Sequence, residues 1–231
     1  MKDRLSLLDY LTVAVFTLQG AFALHVRLNG PTTPIPVHFG PDLRPDRWSD
    51  RTELALTLGG IALLGLILCV GLGLGAMRAE AAGDQSQKRS LRIGQGIGLF
   101  TLTIVGVLIA WASLGHASLG QTGLEARGGA FMGGLSLVFV GVGAFIGRVS
   151  PNPFVGVRTP WAFKSRLAWD RSNRLAGRLF FLIGLCGLIA APVAPQPFGV
   201  TALTVSIIAV SIIAVFESWR VWRTDPDRQP F

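Results

Sequence analysis

The chain has 231 residues, half of them apolar and only 15% charged, with a formal net charge of +8. A soluble domain carries about 25% charged residues, and here the apolar residues also gather in runs too long for a water-facing fold, so the composition excludes an ordinary globular domain and points to a polytopic membrane protein. The positive excess is of the kind that membrane proteins hold in cytoplasmic loops; no nucleic-acid recognition module accompanies it, and direct nucleic-acid binding is not expected.

The first span is predicted over Leu5–Val26, behind Lys2 and Arg4. Its apolar run is too long for a signal peptide and no small-x-small cleavage site ends it. Asp9 lies about one turn inside and is placed at the interface, whereas Gln19 is deeper and is expected to bond to a neighbouring helix. A loop follows over Arg27–Arg51. Four prolines precede Asp42 and Pro45 follows it, which predicts a fixed, irregular loop rather than a helix, with Trp48 at the interface.

The second span is predicted over Glu53–Met77, where Gly71, Gly73 and Gly75 would let another helix approach closely. Polar residues occupy Arg78–Arg92. The third span covers Ile93–Leu114, with Gly94, Gln95 and Gly96 at its start and Trp111 and His116 toward its far end. A short, weakly charged connection, Ala117–Gly128, leads to a glycine-rich fourth span over Gly129–Gly147. At about 1.5 Å per residue this barely crosses a hydrocarbon core and is expected inside the bundle. The fifth span, Leu179–Val193, is short and must borrow a turn from Asn173–Arg178, whose basic chains can snorkel. The sixth covers Phe198–Phe216, and the tail Glu217–Phe231 carries Trp219, Arg220, Trp222 and Arg223. Cys69 and Cys186 both lie inside apolar runs and read as small hydrophobes.

The predicted class is therefore all-α: six transmembrane helices, with an interfacial amphipathic helix before the fifth span. An even number of spans puts both termini on one side. Placing that side in the cytoplasm gives sixteen basic residues inside and five outside, so the positive-inside rule selects an N-in, C-in chain. Three units are expected: 1–77, two spans and the proline-rich loop; 78–128, a cytoplasmic linker, the third span and a short outer loop; and 129–231, the remainder. No internal repeat relates the first three spans to the last three, unlike transporters built from inverted repeats.

Arg148–Arg178 is the most patterned stretch, with seven basic side chains and one acid, Asp170. Pro151, Asn152 and Pro153 signal a turn, and Gly156 allows an unusual backbone angle. Thr159 before Pro160 reads as an N-cap with proline at the first helical position. A helix from Pro160 to Arg178 would space Arg166, Asp170 and Arg174 four apart for ion pairing. It would set Lys164, Arg171 and Arg178 on one face and Trp161, Ala168 and Leu175 on another, with Trp169 close by, an amphipathic pattern suited to the inner interface and to anionic membrane lipids. An ordinary anchored loop explains the charge and Trp161, but not the ordered run from Asn152 to Trp161. Arg158, beside the N-cap, offers a planar fork to a carboxylate or phosphate.

No catalytic set is visible: no paired intramembrane aspartates, no His-Glu-x-x-His, no serine with a nearby base and no P-loop. No enzyme activity and no cofactor is expected. His38, Asp42 and Asp46 match no strong metal-ligand spacing, and no metal is assigned.

The run from Pro151 through Asn152, Phe154, Gly156, Arg158, Thr159 and Pro160 to Trp161, followed by Trp169, Arg174, Ala176 and Gly177, resembles the signature of the SdpI family, over Met132–Phe216. These are integral membrane proteins named for an immunity protein that protects a bacterium from its own secreted killing peptide and reports the toxin by holding a small repressor at the membrane. Pro34, Pro36, His38 and Phe39, with Asp46 and Trp48, are similar to a short domain of unknown function that commonly precedes the SdpI segment. Relatives often carry a histidine where Asn173 stands.

The resemblance implies toxic-peptide immunity or envelope-stress sensing in a bacterial inner membrane, with membrane lipids, a secreted toxic peptide and a cytoplasmic repressor as partners. The outer loop, Pro36, His38, Phe39, Asp46 and Trp48, would meet the stimulus. The inner segment, Asn152, Phe154, Gly156, Arg158, Thr159, Pro160, Trp161, Trp169, Arg174 and Gly177, would engage the regulator. The alternative is a small-molecule or lipid permease using Gln19, Gln95 and the fourth span.

Overall fold

The computed structural model describes residues 5–119 and 124–229, apart from the side chains of residues 116–127. The predicted roles of Lys2, Arg4, Arg127, the His116 side chain and the last two residues of the tail lie outside the described residues. Seven helices and one hairpin occur among the described residues: α1 (Leu7–Asn29), β1 (Ile35–Phe39), β2 (Pro45–Ser49), α2 (Arg51–Ala81), α3 (Gln85–Leu119), α4 (Leu124–Ile146), α5 (Pro160–Phe163), α6 (Arg166–Ala190) and α7 (Phe198–Thr224). All but α5 are long and apolar enough to cross a membrane. Leu63, Ile67, Ile189, Ile208 and Ile212 are exposed on them, an apolar surface that water would penalise and acyl chains would cover. The protein is an all-α polytopic membrane protein.

The helices start where the sequence supplies caps. The Ser6 hydroxyl accepts the Asp9 N–H, and the Asp9 carboxylate accepts the Ser6 N–H in return, a reciprocal box that satisfies two orphan donors. Asp50 caps α2 by accepting from Thr52 and Glu53 at 2.9 and 3.0 Å. The polar stretch 78–92 is mostly helical: α2 and α3 run on to a tight turn at Ala82–Asp84, where Gly83 takes φ +78°, a value open to glycine at no steric cost.

Packing proceeds from neighbour to neighbour. α1 lies on α2, α2 on α3, α3 on α4, α4 on α6 and α6 on α7, with α1 also meeting α3 and α4 meeting α7. The glycine-rich α4 packs against α3, α6 and α7. A Cβ on Gly143 would fall 2.4 Å from the Phe181 nitrogen and 2.7 Å from the Gly177 oxygen, so here two backbones touch directly, as small residues permit between membrane helices. Gly184 repeats this further along, facing Ser136 and Val140.

Two expectations are corrected. The proline-rich loop is not irregular: β1 and β2 form an antiparallel hairpin that pairs Ile35 with Ser49, Pro36 with Trp48, His38 with Arg47 and Phe39 with Pro45, with irregularities of register. Proline is tolerated because the ribbon has only edge strands. Ile35 holds the hairpin's root in a core with Val26, Leu54 and Leu58. The single helix predicted from Pro160 to Arg178 is in fact two. α5 ends at Phe163 with Lys164 as its C-cap, and Ser165 restarts the chain as the N-cap of α6, accepting the Ala168 N–H at 2.9 Å. The basic stretch after Ser165 thus forms the first turns of the fifth spanning helix.

Candidate functional site

At one end of the bundle, where α1, α3 and α6 begin and α2, α4 and α7 finish, residues 148–165 fold into a cap. Asn152 organises its first turn. The Asn152 amide donates to the Ser150 and Val155 carbonyls at 2.8 and 3.1 Å, while its Oδ1 accepts from the Phe154 and Val155 N–H groups, both at 2.8 Å. One buried side chain thereby satisfies four backbone groups that a bare loop would leave to water. Pro153 and Phe154 are left exposed at the tip.

Gly156 comes next, at φ +124°. A Cβ there would stand 2.7 Å from Asn173 Oδ1 and 3.0 Å from the Trp169 ring, so both the backbone angle and the space demand glycine. Asn173 Oδ1 accepts the Val157 N–H at 2.7 Å and its amide donates to the Trp169 carbonyl at 2.9 Å. Trp169 is fully buried, and its indole N–H donates to the Val149 carbonyl at 2.8 Å. It packs with Val149 and Ala162, and Ile93 and Val155 cover that cluster. Trp169 is therefore the post around which the cap is wound, rather than an interfacial anchor.

The cap is tied to the helices on both sides. The Ser150 N–H donates to Ser90 Oγ at 2.9 Å, and the Ser86 and Ser150 hydroxyls share a 2.7 Å bond. Gly94 leaves room for Val155, whose Cγ2 would lie 2.6 Å from an added Cβ. On the far side, Thr159 caps α5 by accepting the Ala162 N–H at 3.1 Å and hydrogen-bonds to Ser218 of α7. The Ser165 hydroxyl donates to Asp225, and the Gln229 N–H donates to the Lys164 carbonyl at 2.8 Å. That hydroxyl, together with the Asp227 N–H and the Arg228 charge, holds the Asp225 carboxyl below the usual aspartate range.

The predicted inner residues separate into two groups. Asn152, Gly156, Thr159 and Trp169 are buried or tightly packed and build the cap, while Gly177 is buried against Gly143 of α4. Phe154, Arg158, Pro160 and Arg174 face outward, and Trp161 is half-buried. Arg158 donates to the Pro153 carbonyl at 2.5 Å, so its guanidinium closes the cap's own loop. Arg166 reaches Asp170 at 3.4 Å.

At the opposite end the hairpin brings the outer-loop residues together. His38 Nδ1 and Asp46 Oδ1 are 2.5 Å apart, and both side chains are solvent-exposed. His38 and Phe39 border a pocket of about 620 Å³ with Leu43, Trp111, Phe131 and Val205. Leu43, at the hairpin turn, adopts φ +62°, an uncommon left-handed state for a branched apolar residue. Its side chain reaches over Gly128 of α4. Pro36, Asp46 and Trp48 stand on the hairpin outside that pocket's lining.

The sequence reading missed one constellation. Asp9, assigned to the interface, forms an ion pair with Arg92 of α3. Gln95, fully buried, donates to Asp9 at 2.9 Å and to Thr12 at 3.3 Å and accepts from Arg92 at 2.7 Å. Gly73 makes the space, since a Cβ would lie 2.5 Å from the Asp9 carboxylate. The available signal was an acid and a base at matching depth on the first and third spans. Gln19 does bond to a neighbouring helix, donating to the Thr103 carbonyl at 3.3 Å.

The cap, α5, α6 and most of α7 are the part with recognisable relatives. Residues 148–216 match the SdpI/YfhL protein family. The matched SdpI segment starts at Arg148, so the hairpin unit and α4 lie outside it. The Asn152 turn, Gly156, the Thr159 cap and the Trp169 post all fall inside it, and they are the residues that shape the SdpI segment's backbone. Comparisons with curated proteins and with solved structures returned no significant match.

Proposed function

We propose that this SdpI-like protein resides in a bacterial inner membrane, N-in and C-in, and gives immunity to a toxic peptide or senses envelope stress and signals to a cytoplasmic regulator. The basic cap end faces the cytoplasm in this reading, as the charge asymmetry favours, and the hairpin end faces out. The observation that carries it is the reach of α7. Near its start α7 supplies Val200, Thr201, Thr204 and Val205 to the hairpin pocket. At its other end Ser218, and Asp225 just beyond, hold the cap. An apolar peptide segment entering beneath the hairpin would press on α7 and bias the hydrogen bonds that close the cap around Arg158. A two-state element biased from both ends is what coupling between distant sites requires.

The permease alternative relies on Gln19 and Gln95. The Gln95 amide is engaged between helices with Asp9, Thr12 and Arg92, which favours a packing role for it, whereas Gln19 donates to Thr103 but leaves its Oε1 without a hydrogen-bond partner among the described residues. Expression in a susceptible bacterium, with survival counted against a panel of membrane-active killing peptides, tests the proposal. Val205→Trp, which fills the pocket, and Arg158→Ala should each abolish protection or signalling while membrane insertion is unchanged. Full activity in both variants would sink the assigned roles.

A further inference from the structure

A second feature of the cap end lies on the outer side of the α4–α6 pair. Between these helices runs a groove of about 590 Å³ bordered by Gly143, Gly147, Arg148, Arg174, Arg178 and Phe181. Its geometry follows from backbone contact. Gly143 and Gly177 meet so closely that a Cβ on Gly177 would be 2.9 Å from the Gly143 oxygen. One turn toward the cap, a Cβ on Gly147 would be 3.2 Å from Arg174 Cα and 3.6 Å from its Cγ. The stem of Arg174 therefore crosses α4 at Gly147, next to Arg148, and Arg178 follows one turn later on the same side of α6. The floor and lower wall are apolar, with Phe181 and Leu182 partly exposed.

Some of the positive charge at this end is neutralised in ion pairs, but the charge at the groove is not. Arg92 pairs with Asp9, Lys88 with Glu80, Arg166 with Asp170 and Arg220 with Glu217. Among the described residues no carboxylate comes within ion-pair distance of Arg148, Arg174 or Arg178; Arg148 only lies over its own helix neighbour Phe145, at 5.5 Å. Three guanidinium groups thus gather at the polar mouth of an apolar groove that opens along two spanning helices. A guanidinium matches a phosphate oxygen pair in a bidentate manner, and basic pockets between spanning helices take up anionic lipid headgroups.

We propose that this groove is a binding site for an anionic phospholipid, with the phosphate held by Arg148, Arg174 and Arg178 and one acyl chain lying along Ala144, Phe181 and Leu182. The site is distinct from the hairpin pocket and from the face of the cap that carries Arg158. It would fasten the SdpI segment to the leaflet in which the cap sits.

The test uses the full chain in nanodiscs or detergent, titrated with phosphatidylglycerol and with phosphatidylcholine, bound lipid being counted by native mass spectrometry. Wild type should retain phosphatidylglycerol preferentially. The triple variant Arg148→Gln/Arg174→Gln/Arg178→Gln should weaken that retention at least about tenfold. A charge-matched control, Arg166→Gln/Arg171→Gln/Arg223→Gln, should stay within about twofold, because those residues are outside the groove. Ala144→Trp, which leaves the charge untouched and blocks the acyl track, should also release the lipid. Equal losses in the triple variant and its control would overturn the site in favour of diffuse surface charge. Inorganic phosphate competing as well as lipid, with Ala144→Trp silent, would reassign it to a soluble anion.

Discussion

Asp9 Oδ1 lies 2.5 Å from Arg92 Nη1, joining the first helix to the third across 83 residues of sequence, and both side chains are largely withdrawn from solvent, at 12% and 19% exposure. Breaking a buried pair from one side leaves an uncompensated charge and costs about 3–5 kcal/mol, whereas replacing both partners by apolar groups is often close to neutral. Arg92→Met is therefore expected to lower the melting temperature of the purified protein more than Asp9→Leu/Arg92→Met does. A double-mutant cycle with additive losses would contradict direct coupling.

Two glycines near the end of α2 are expected to respond differently to alanine. Gly71 has open space around its added Cβ, whereas at Gly73 that carbon would meet Asp9 at 2.5 Å and Gln95 at 3.0 Å. Gly71→Ala should be neutral or stabilising by up to about 1 kcal/mol, the helix-propensity difference. Gly73→Ala should destabilise, since the carboxylate must shift away from its partners. Parallel thermal melts decide this, and equal effects would count against the polar cluster.

Within the cap, Gly156→Ala forces a side chain into a left-handed angle against Asn173 and should cost about 1–3 kcal/mol. Limited proteolysis near Phe154 should detect the loosened loop. Asn173 offers a sharper comparison. Asn173→Leu strands the Val157 N–H, while Asn173→His restores an acceptor through a ring nitrogen. The histidine variant should resemble wild type in proteolytic resistance and the leucine variant should not.

Acid is expected to release the tail from the cap. The Asp225 carboxyl is held down by the Ser165 hydroxyl, the Asp227 N–H and Arg228. A group whose folded pKa is depressed stabilises the fold above its unfolded pKa, and that contribution is lost as pH falls through the folded value. Tail docking should persist through neutral and mildly acid conditions and weaken only below the ordinary aspartate value of about 3.9. Trp222 fluorescence against pH follows the release. Asp225→Asn should remove this dependence, and an unchanged titration in that variant would assign it elsewhere.

Hydropathy alone placed the six spans, because runs such as Ile61–Val70 and Thr204–Val215 have no soluble alternative. Thr159 and Pro160 announced the start of α5 by residue type, since capping is local. The hairpin was hidden by Pro36 and Pro45, which read as breakers unless the strands are known to be edges. Periodicity places Trp169 beside the apolar face of an interfacial amphipathic helix. Its burial depends on Val149 and Ile93, which belong to other segments. The helix break at Ser165 was equally illegible, because the residue that rewards it, Asp225, lies sixty positions away. What periodicity misses at the cap end is contact between segments far apart in sequence, apolar around Trp169 and polar at Ser165.

The cap's bonds to α7 also set an order of assembly. Its stitches come from Ser86 and Ser90, from the run through Val149 to Asn173, and lastly from Ser218, Asp225 and Gln229. During synthesis Ser218 leaves the ribosome within α7, the last of the six spanning helices among the described residues, and Asp225 and Gln229 leave after it. The cap can close fully only at that point, so its closure would separate molecules that have made α7 from those stalled before it.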